Sequence, residues 1–403
     1  MQNLIDSIRQ NRFHKGEEDS SFLKLFVAKQ LVQGAAVALL GIFMPIFLYE
    51  VSGNNFEVVG SYYAAISLMY ILLLAPGMKA VNRFGFSVAL AVGAIYCVLM
   101  NLLLLFLTTE NLPWMLPLIM FAMVGYWVFH WVPFQVDFVL FSKKESRGRQ
   151  VSISLATRAF LGVIGPLLAG FIISVAGYKV LFAVATVLML VAAVSYLYVP
   201  EPDSTYTWTV KKTWRELFNP KHRRILGAEF AVGAETIVNL IVWPIFLFEI
   251  LDGDLLEVGA VSTVVVAATI IIQLFLGSYF DKHTGSAIRT LKFSSGLNAL
   301  GWVFKIFVLS AFQVFFVGLF HNIVRMMART PYTSIIFDTS AEQGSYVDEF
   351  TVLREMAQHL GRAFSLVLIS FVAVFISIEW TFLIAAIAAI AYNLVYMAQA
   401  QGK

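Results

Sequence analysis

The chain has 403 residues, 59% of them hydrophobic and 13% charged, with a net charge of +3. Soluble domains hold about 45–50% apolar and about 25% charged residues, so this balance excludes an ordinary water-soluble fold and makes lipid the main solvent. The small positive excess makes no case for nucleic acid, and the single Cys97, set in an apolar run, excludes a disulfide framework.

Residues 1–23 are polar and of mixed charge. They lack a short apolar core followed by a small-residue cleavage site, so no removable signal peptide is expected there. A spanning helix needs about 20 mainly apolar residues. Six such runs follow, at about 24–50, 56–79, 85–108, 113–140, 150–176 and 178–199. A polar stretch, 200–224, then divides them from six more, at about 225–250, 256–279, 287–308, 310–335, 350–376 and 379–400. Within the polar stretch Val210, Trp214 and Phe218 recur at helical spacing, which predicts a short amphipathic helix on the membrane surface. The runs lack the alternating period of barrel strands, and backbone groups in lipid must pair internally, so helices are expected throughout. The predicted organisation is a cytoplasmic segment (1–23), a six-helix bundle (24–199), a cytoplasmic linker (200–224) and a second six-helix bundle (225–400).

Basic residues set the predicted orientation. Lys79, Arg83, Lys143, Lys144, Arg147, Arg149, the linker bases, Lys282, Arg289 and Lys292 share one side. The opposite loops carry Lys179 and acids such as Glu110, Asp252 and Asp254. The asymmetry places both termini in the cytoplasm of a multi-pass protein, with a bacterial inner membrane as the expected site.

The two bundles echo each other. Residues 45–50 read PIFLYE and residues 244–249 read PIFLFE, 199 positions apart, and FEVVG at 56–60 answers LLEVG at 255–259. A period of half the chain points to two copies of one unit. Pro45 and Pro244 each remove a backbone bond near the end of their helix, which predicts paired bending points at a gate.

Between the eighth and ninth spans the chain reads GSYFDKHTG at 277–285. Gly277, Asp281, Lys282 and Gly285 resemble the cytoplasmic loop signature of the major facilitator superfamily, with Gly285 one place late. Asn82, Arg83 and Gly85 resemble the same signature between the second and third spans, with Asn82 where the family carries an acid. That departure means the family's latch is not carried over to the first half. In the fifth span GVIGPLLAG supplies Gly162, Gly165, Pro166 and Gly170. It is similar to an exporter signature of that superfamily, and it equally reads as small-residue helix packing. The resemblance covers nearly the whole chain. It implies an all-α membrane protein of twelve transmembrane helices in two pseudo-symmetric bundles, with a substrate site between them near the midplane. The fourth span lacks the Arg of many proton-coupled members, so the resemblance supplies no coupling mechanism.

Ionisable groups at membrane depth are candidate functional residues, because each costs roughly 2.5–3.5 kcal/mol to insert. Glu235 stands about ten residues into the seventh span, with Asn239 one turn further on. His321, Arg325 and Arg329 share a face of the tenth span. Arg325 is read as a partner of Glu235 or of an anionic substrate, and Arg329 as a snorkelling anchor. Arg158 and Arg354 are a second echo, each seven residues before a Gly. Asp137 is the partner expected for Arg158; Arg354 is expected in a gating or anchoring cluster with Asp348, Glu349, Glu355 and His359. Tyr126, Trp127, His130 and Trp131 on the fourth span form either a cavity wall or packing, and Gln30, Gln33 and Gln273 add candidate cavity polarity.

There is no Walker loop, no metal-spaced Cys/His set and no G-x-S-x-G elbow, so neither an enzyme nor a cofactor is expected. The reading is a transporter of a small molecule working by alternating access, with ion- or proton-coupled export preferred. A facilitator or importer of the same fold, or a non-transporting membrane receptor or scaffold, stands as the alternative.

Overall fold

In the computed structural model of the chain, residues 39–131, 147–197, 206–283, 287–342 and 347–395 are described, with the backbone alone at 147–155, 274–283, 287–288, 337–342 and 347–348. The first part holds α1 (Phe43–Val51), α2 (Phe56–Phe84), α3 (Phe86–Leu105), α4 (Leu112–Tyr126) and α5 (Arg147–Tyr196). A π turn, Trp127–Trp131, continues α4. The linker contributes α6 (Val210–Leu217). The second part holds α7 (Arg223–Ile237), a π turn at Val238–Val242, α8 (Trp243–Ile250), α9 (Leu255–His283), α10 (Ala287–Lys305), α11 (Ala311–Glu342), α12 (Val347–Ala373) and α13 (Phe382–Ala391).

No strand occurs among the described residues, and eight helices there are long and apolar enough to cross a membrane. The chain is an all-α membrane protein. The first, fourth, sixth and twelfth expected spans run into residues outside the description. The fifth and sixth are α5, broken at Gly177, whose φ of 79° takes the left-handed backbone that only glycine adopts freely. The turns after the repeated phrase are built alike. Gly53 and Asn54 on one side, and Asp252 and Gly253 on the other, all have positive φ. Asn and Asp are among the few residues with a Cβ that tolerate that region.

Small residues bring the helices close. A Cβ on Gly233 of α7 would stand 1.9 Å from the carbonyl oxygen of Gln358, and one on Gly361 of α12 would stand 1.9 Å from that of Phe230. This reciprocal contact leaves no room for a side chain at either place. The two halves meet along two seams. On one, α2 packs on α12, with Gly60 against Ser370. On the other, α5 packs on α9, where Cβ atoms on Gly170 and Gly259 would meet the carbonyl oxygens of Leu255 and Pro166 at 2.5 and 2.4 Å. Thr263 of α9 reaches into α5: its hydroxyl donates to the Val163 carbonyl at 2.7 Å and accepts from the Leu167 amide at 3.1 Å. A side chain set into the helical ladder in this way loosens a helix beside its proline. Leu72, Val187 and Phe371 point outward and are exposed, as lipid-facing residues are.

Candidate functional site

Glu235 lies on the last turn of α7, at the thirteenth of its fifteen residues. At about 1.5 Å per residue that is roughly 18 Å from the start of the helix, near the middle of a core about 30 Å thick. Its side chain is fully buried. Arg325 Nε (3.1 Å), Trp302 Nε1 (3.1 Å) and Asn298 Nδ2 (3.3 Å) donate to Oε1. Arg329 Nη2 (3.1 Å) and the Tyr392 hydroxyl donate to Oε2. Three helices, α7, α10 and α11, and the segment after α13 thus converge on one carboxylate, whose lone pairs are filled by donors as an acceptor-only anion requires.

The network continues outward. Asn298 donates with its Nδ2, so its Oδ1 accepts, and His321 Nε2 at 3.0 Å carries the proton. His321 Nδ1 is then an acceptor, buried and without a bond among the described residues. Lys305, the last residue of α10, is 2% exposed. Its Nζ stands over the Trp243 ring at 3.7 Å and the Trp302 ring at 4.4 Å. Arg325 and Arg329 are less enclosed, with side chains 21% and 30% exposed.

A second buried pair lies one to two turns nearer the linker end. Arg354 Nε on α12 donates to Glu229 Oε1 at 2.7 Å, and Gln358 Nε2 donates to Glu229 Oε2 at 2.6 Å. Across the α2–α12 seam, Tyr70 and Trp127 of the first half meet the His359 ring at 4.2 and 5.1 Å. Arg362 Nη1 donates to His359 Nε2 at 3.0 Å.

These positions correct several expectations. Arg329 does not snorkel to the surface; it bonds Glu235 and, at 2.6 Å, the Thr236 hydroxyl. Asn239 is half-buried in the π turn and is not among the groups on Glu235, because a π turn does not keep the four-residue register of an α-helix. The amide that serves Glu235 is Asn298. His130 is no cavity wall. It is 1% exposed, packs between the Tyr126 and Tyr196 rings, and sits where a Cβ on Gly93 would meet it at 2.8 Å. Trp127 faces the other half, whereas Trp131 is exposed. Arg158 is exposed on α5, and Asp137 lies outside the described residues, as do Gln30 and Gln33. Arg354 pairs with Glu229, not with the acids near it in sequence; Glu349 accepts from the Thr207 amide and hydroxyl.

Of the loop signature in the second half, Gly277, Asp281 and Lys282 lie on the last turns of α9 with their side chains outside the description, and Gly285 is outside it. The first-half copy is described. Asn82 Nδ2 donates to the Tyr206 carbonyl at 2.6 Å while its Oδ1 accepts from the Tyr206 amide at 3.2 Å. An amide offers both a donor and an acceptor, and an ionised acid in its place would offer only acceptors. Lys79 Nζ adds contacts to the Tyr206 and Thr207 carbonyls at 3.4 and 3.2 Å. Arg83 is exposed, and Gly85, at φ 88°, turns α2 into α3. In the fifth span Gly165 and Pro166 are buried, Gly170 makes the contact with α9, and a Cβ on Gly162 would meet nothing within 4 Å.

Pro45 and Pro244 are both buried. A π-type turn precedes each, at Leu39 and at Val238–Val242. The ends of the phrase meet: the Tyr49 hydroxyl donates to Glu249, and the Tyr178 hydroxyl donates to Glu50 at 2.5 Å.

The sequence pattern of the family described as Major Facilitator Superfamily matches residues 29–347. The chain is also similar to the uncharacterized protein YqgE of Bacillus subtilis (strain 168), 25% identical over 340 residues, which cover 82% of this chain and 77% of that protein. With the family pattern spanning most of the chain and the helices arranged as described, this protein belongs to the Major Facilitator Superfamily, whose members are membrane transporters of small solutes.

Proposed function

We propose that the chain moves its solute by alternating access of the two halves, coupled to protons through Glu235. The observation that carries this is the Glu235 network. A carboxylate enclosed near the midplane is expensive to keep unless its partners hold it, and two of those partners, Arg325 and Arg329, reach toward open space. Glu235 takes a proton once Arg325 and Arg329 have turned away from it, and the proton so favours the arrangement in which α11 has moved against α7. A receptor or scaffold that transports nothing has no use for such a movable pair. Export is the direction read from the Gly162–Gly170 stretch, whose Pro166 and Gly170 form the α5–α9 seam. The bending points at Pro45 and Pro244 act as the gate at the Glu50 and Glu249 end.

The test needs no substrate. Glu57 and Glu257 are exposed at that end, one in each half. Spin labels at these two positions, in a Cys97→Ala background, report the separation of the halves by pulsed electron paramagnetic resonance. The distance distribution is expected to shift between pH 8 and pH 5.5 in the otherwise native chain and to stay fixed in Glu235→Gln. A distribution indifferent to pH in both would sink proton coupling through this residue.

A further inference from the structure

Around Glu235 the charges do not balance. Lys305, Arg325 and Arg329 gather about a single carboxylate. The neighbouring cations are accounted for. Arg354 has Glu229, and Arg362 bonds the His359 ring. Lys305 differs. It is 98% enclosed, it takes neither a hydrogen bond nor an ion pair from the described residues, and only the two indole faces receive its ammonium. Arg325 spends its Nε on Glu235, while its Nη atoms bond no described residue. Surplus cations at membrane depth persist where an anion joins them.

We propose that this place is where the transported solute binds, and that the solute is an organic anion: a carboxylate on an apolar body. The carboxylate takes Lys305 Nζ and the Nη edge of Arg325, the planar fork that suits two parallel bonds to a carboxylate. The body lies on the half-buried Trp243, whose ring belongs to an apolar group with Phe246 and Phe382 at 5.9 and 6.0 Å. Glu235 holds Arg325 in place by its Nε and keeps the fork turned to the ligand. A cationic solute finds three like charges here, and a neutral one leaves Lys305 without a counter-charge. The inference rests on the transport reading and adds the class of the solute to it.

Benzoate is the probe, with benzamide as its neutral counterpart and inorganic phosphate as an anion without an apolar body. The full chain is placed in discs of zwitterionic lipid at constant ionic strength, and its unfolding temperature is followed. Benzoate is expected to raise it saturably, by about 2 °C or more, and benzamide and phosphate are expected not to. Lys305→Gln should weaken the apparent affinity at least tenfold. Arg325→Lys, which keeps the charge and loses the fork, should weaken it at least threefold and covers the case in which Lys305→Gln does not fold. Lys212→Gln, on the linker helix, should leave it unchanged. Equal stabilisation by benzoate and benzamide overturns the proposal, as does phosphate matching benzoate, or an affinity untouched by both site variants. The spin-label distances are read without any ligand. Loss of their pH response together with retained benzoate stabilisation would therefore remove the coupling reading and leave the anion site, and the reverse result would do the opposite.

Discussion

Both halves set a histidine onto a glycine of the neighbouring helix. In the first half His130 lies against Gly93 of α3, and in the second His321 lies against Gly301 of α10, where a Cβ would meet its ring at 2.5 Å. From there the halves part. His130 stacks on the Tyr126 ring and meets the Tyr196 ring edge-on. His321 passes a hydrogen bond to Asn298, Asn298 passes one to Glu235, and Glu235 holds two arginines. Each half also buries an asparagine on the equivalent helix. Asn298 is bonded on both sides, whereas neither polar atom of Asn101 has a partner among the described residues. Every buried Lys, Asp or Glu among the described residues belongs to the second half. Among the described residues, then, one half of the duplicated scaffold supplies shape and aromatic surface and the other buries the charge.

That division can be broken most sharply at its centre. Glu235→Ala leaves two guanidiniums at depth without their shared anion and should cost about 3–5 kcal/mol of stability, measured by denaturant unfolding in micelles. A loss below about 1 kcal/mol would mean the network is ornamental and the halves are more alike than their contacts imply. The histidine contacts come next. Gly93→Ala forces a methyl group onto the Cβ and backbone of His130, Gly301→Ala forces one onto the His321 imidazole, and each should cost about 1–3 kcal/mol. Gly301→Ala is expected to cost the more, because displacing His321 also disturbs Asn298. Equal losses would show that the bond from His321 adds nothing to the packing. The smallest effect is of opposite sign. Asn101→Leu replaces an unbonded buried amide by a side chain of similar volume and should raise stability by about 1 kcal/mol, read as a higher midpoint in the same titration. A destabilised Asn101→Leu would reveal a polar role for the first half.

Much of the fold was legible because its causes are local. Hydropathy marks the spans, and the repeated PIFL phrase marks the duplication. The pair of Glu235 and Arg325 could be read from depth alone, since buried opposite charges seek each other. The rest of the site needed contacts between distant helices. Trp302 and Tyr392 read as ordinary aromatic residues of apolar runs. Lys305, at the end of its span, has the look of an interfacial anchor; Trp302, three residues before it, lies on the same helix face, but Trp243 comes from a distant helix. Arg329 was misplaced for a related reason, because counting residues from a helix end says how deep a side chain starts and not which way it turns. Asn82 departs from a family pattern, and only the backbone of Tyr206 facing it explains why an amide stands there.

Contacts between duplicated units normally come in symmetric pairs, since each bond made one way is repeated the other way by the rotation that relates the copies. The repeated phrase breaks this rule by one atom. Its copies differ only at Tyr49 and Phe248, and it is the Tyr49 hydroxyl that reaches Glu249, while Glu50 is taken by Tyr178 of its own half. A symmetric dimer of the same phrase would hold its ends with two such bonds. This chain holds them with one, worth about 1.5–3 kcal/mol for a charged acceptor.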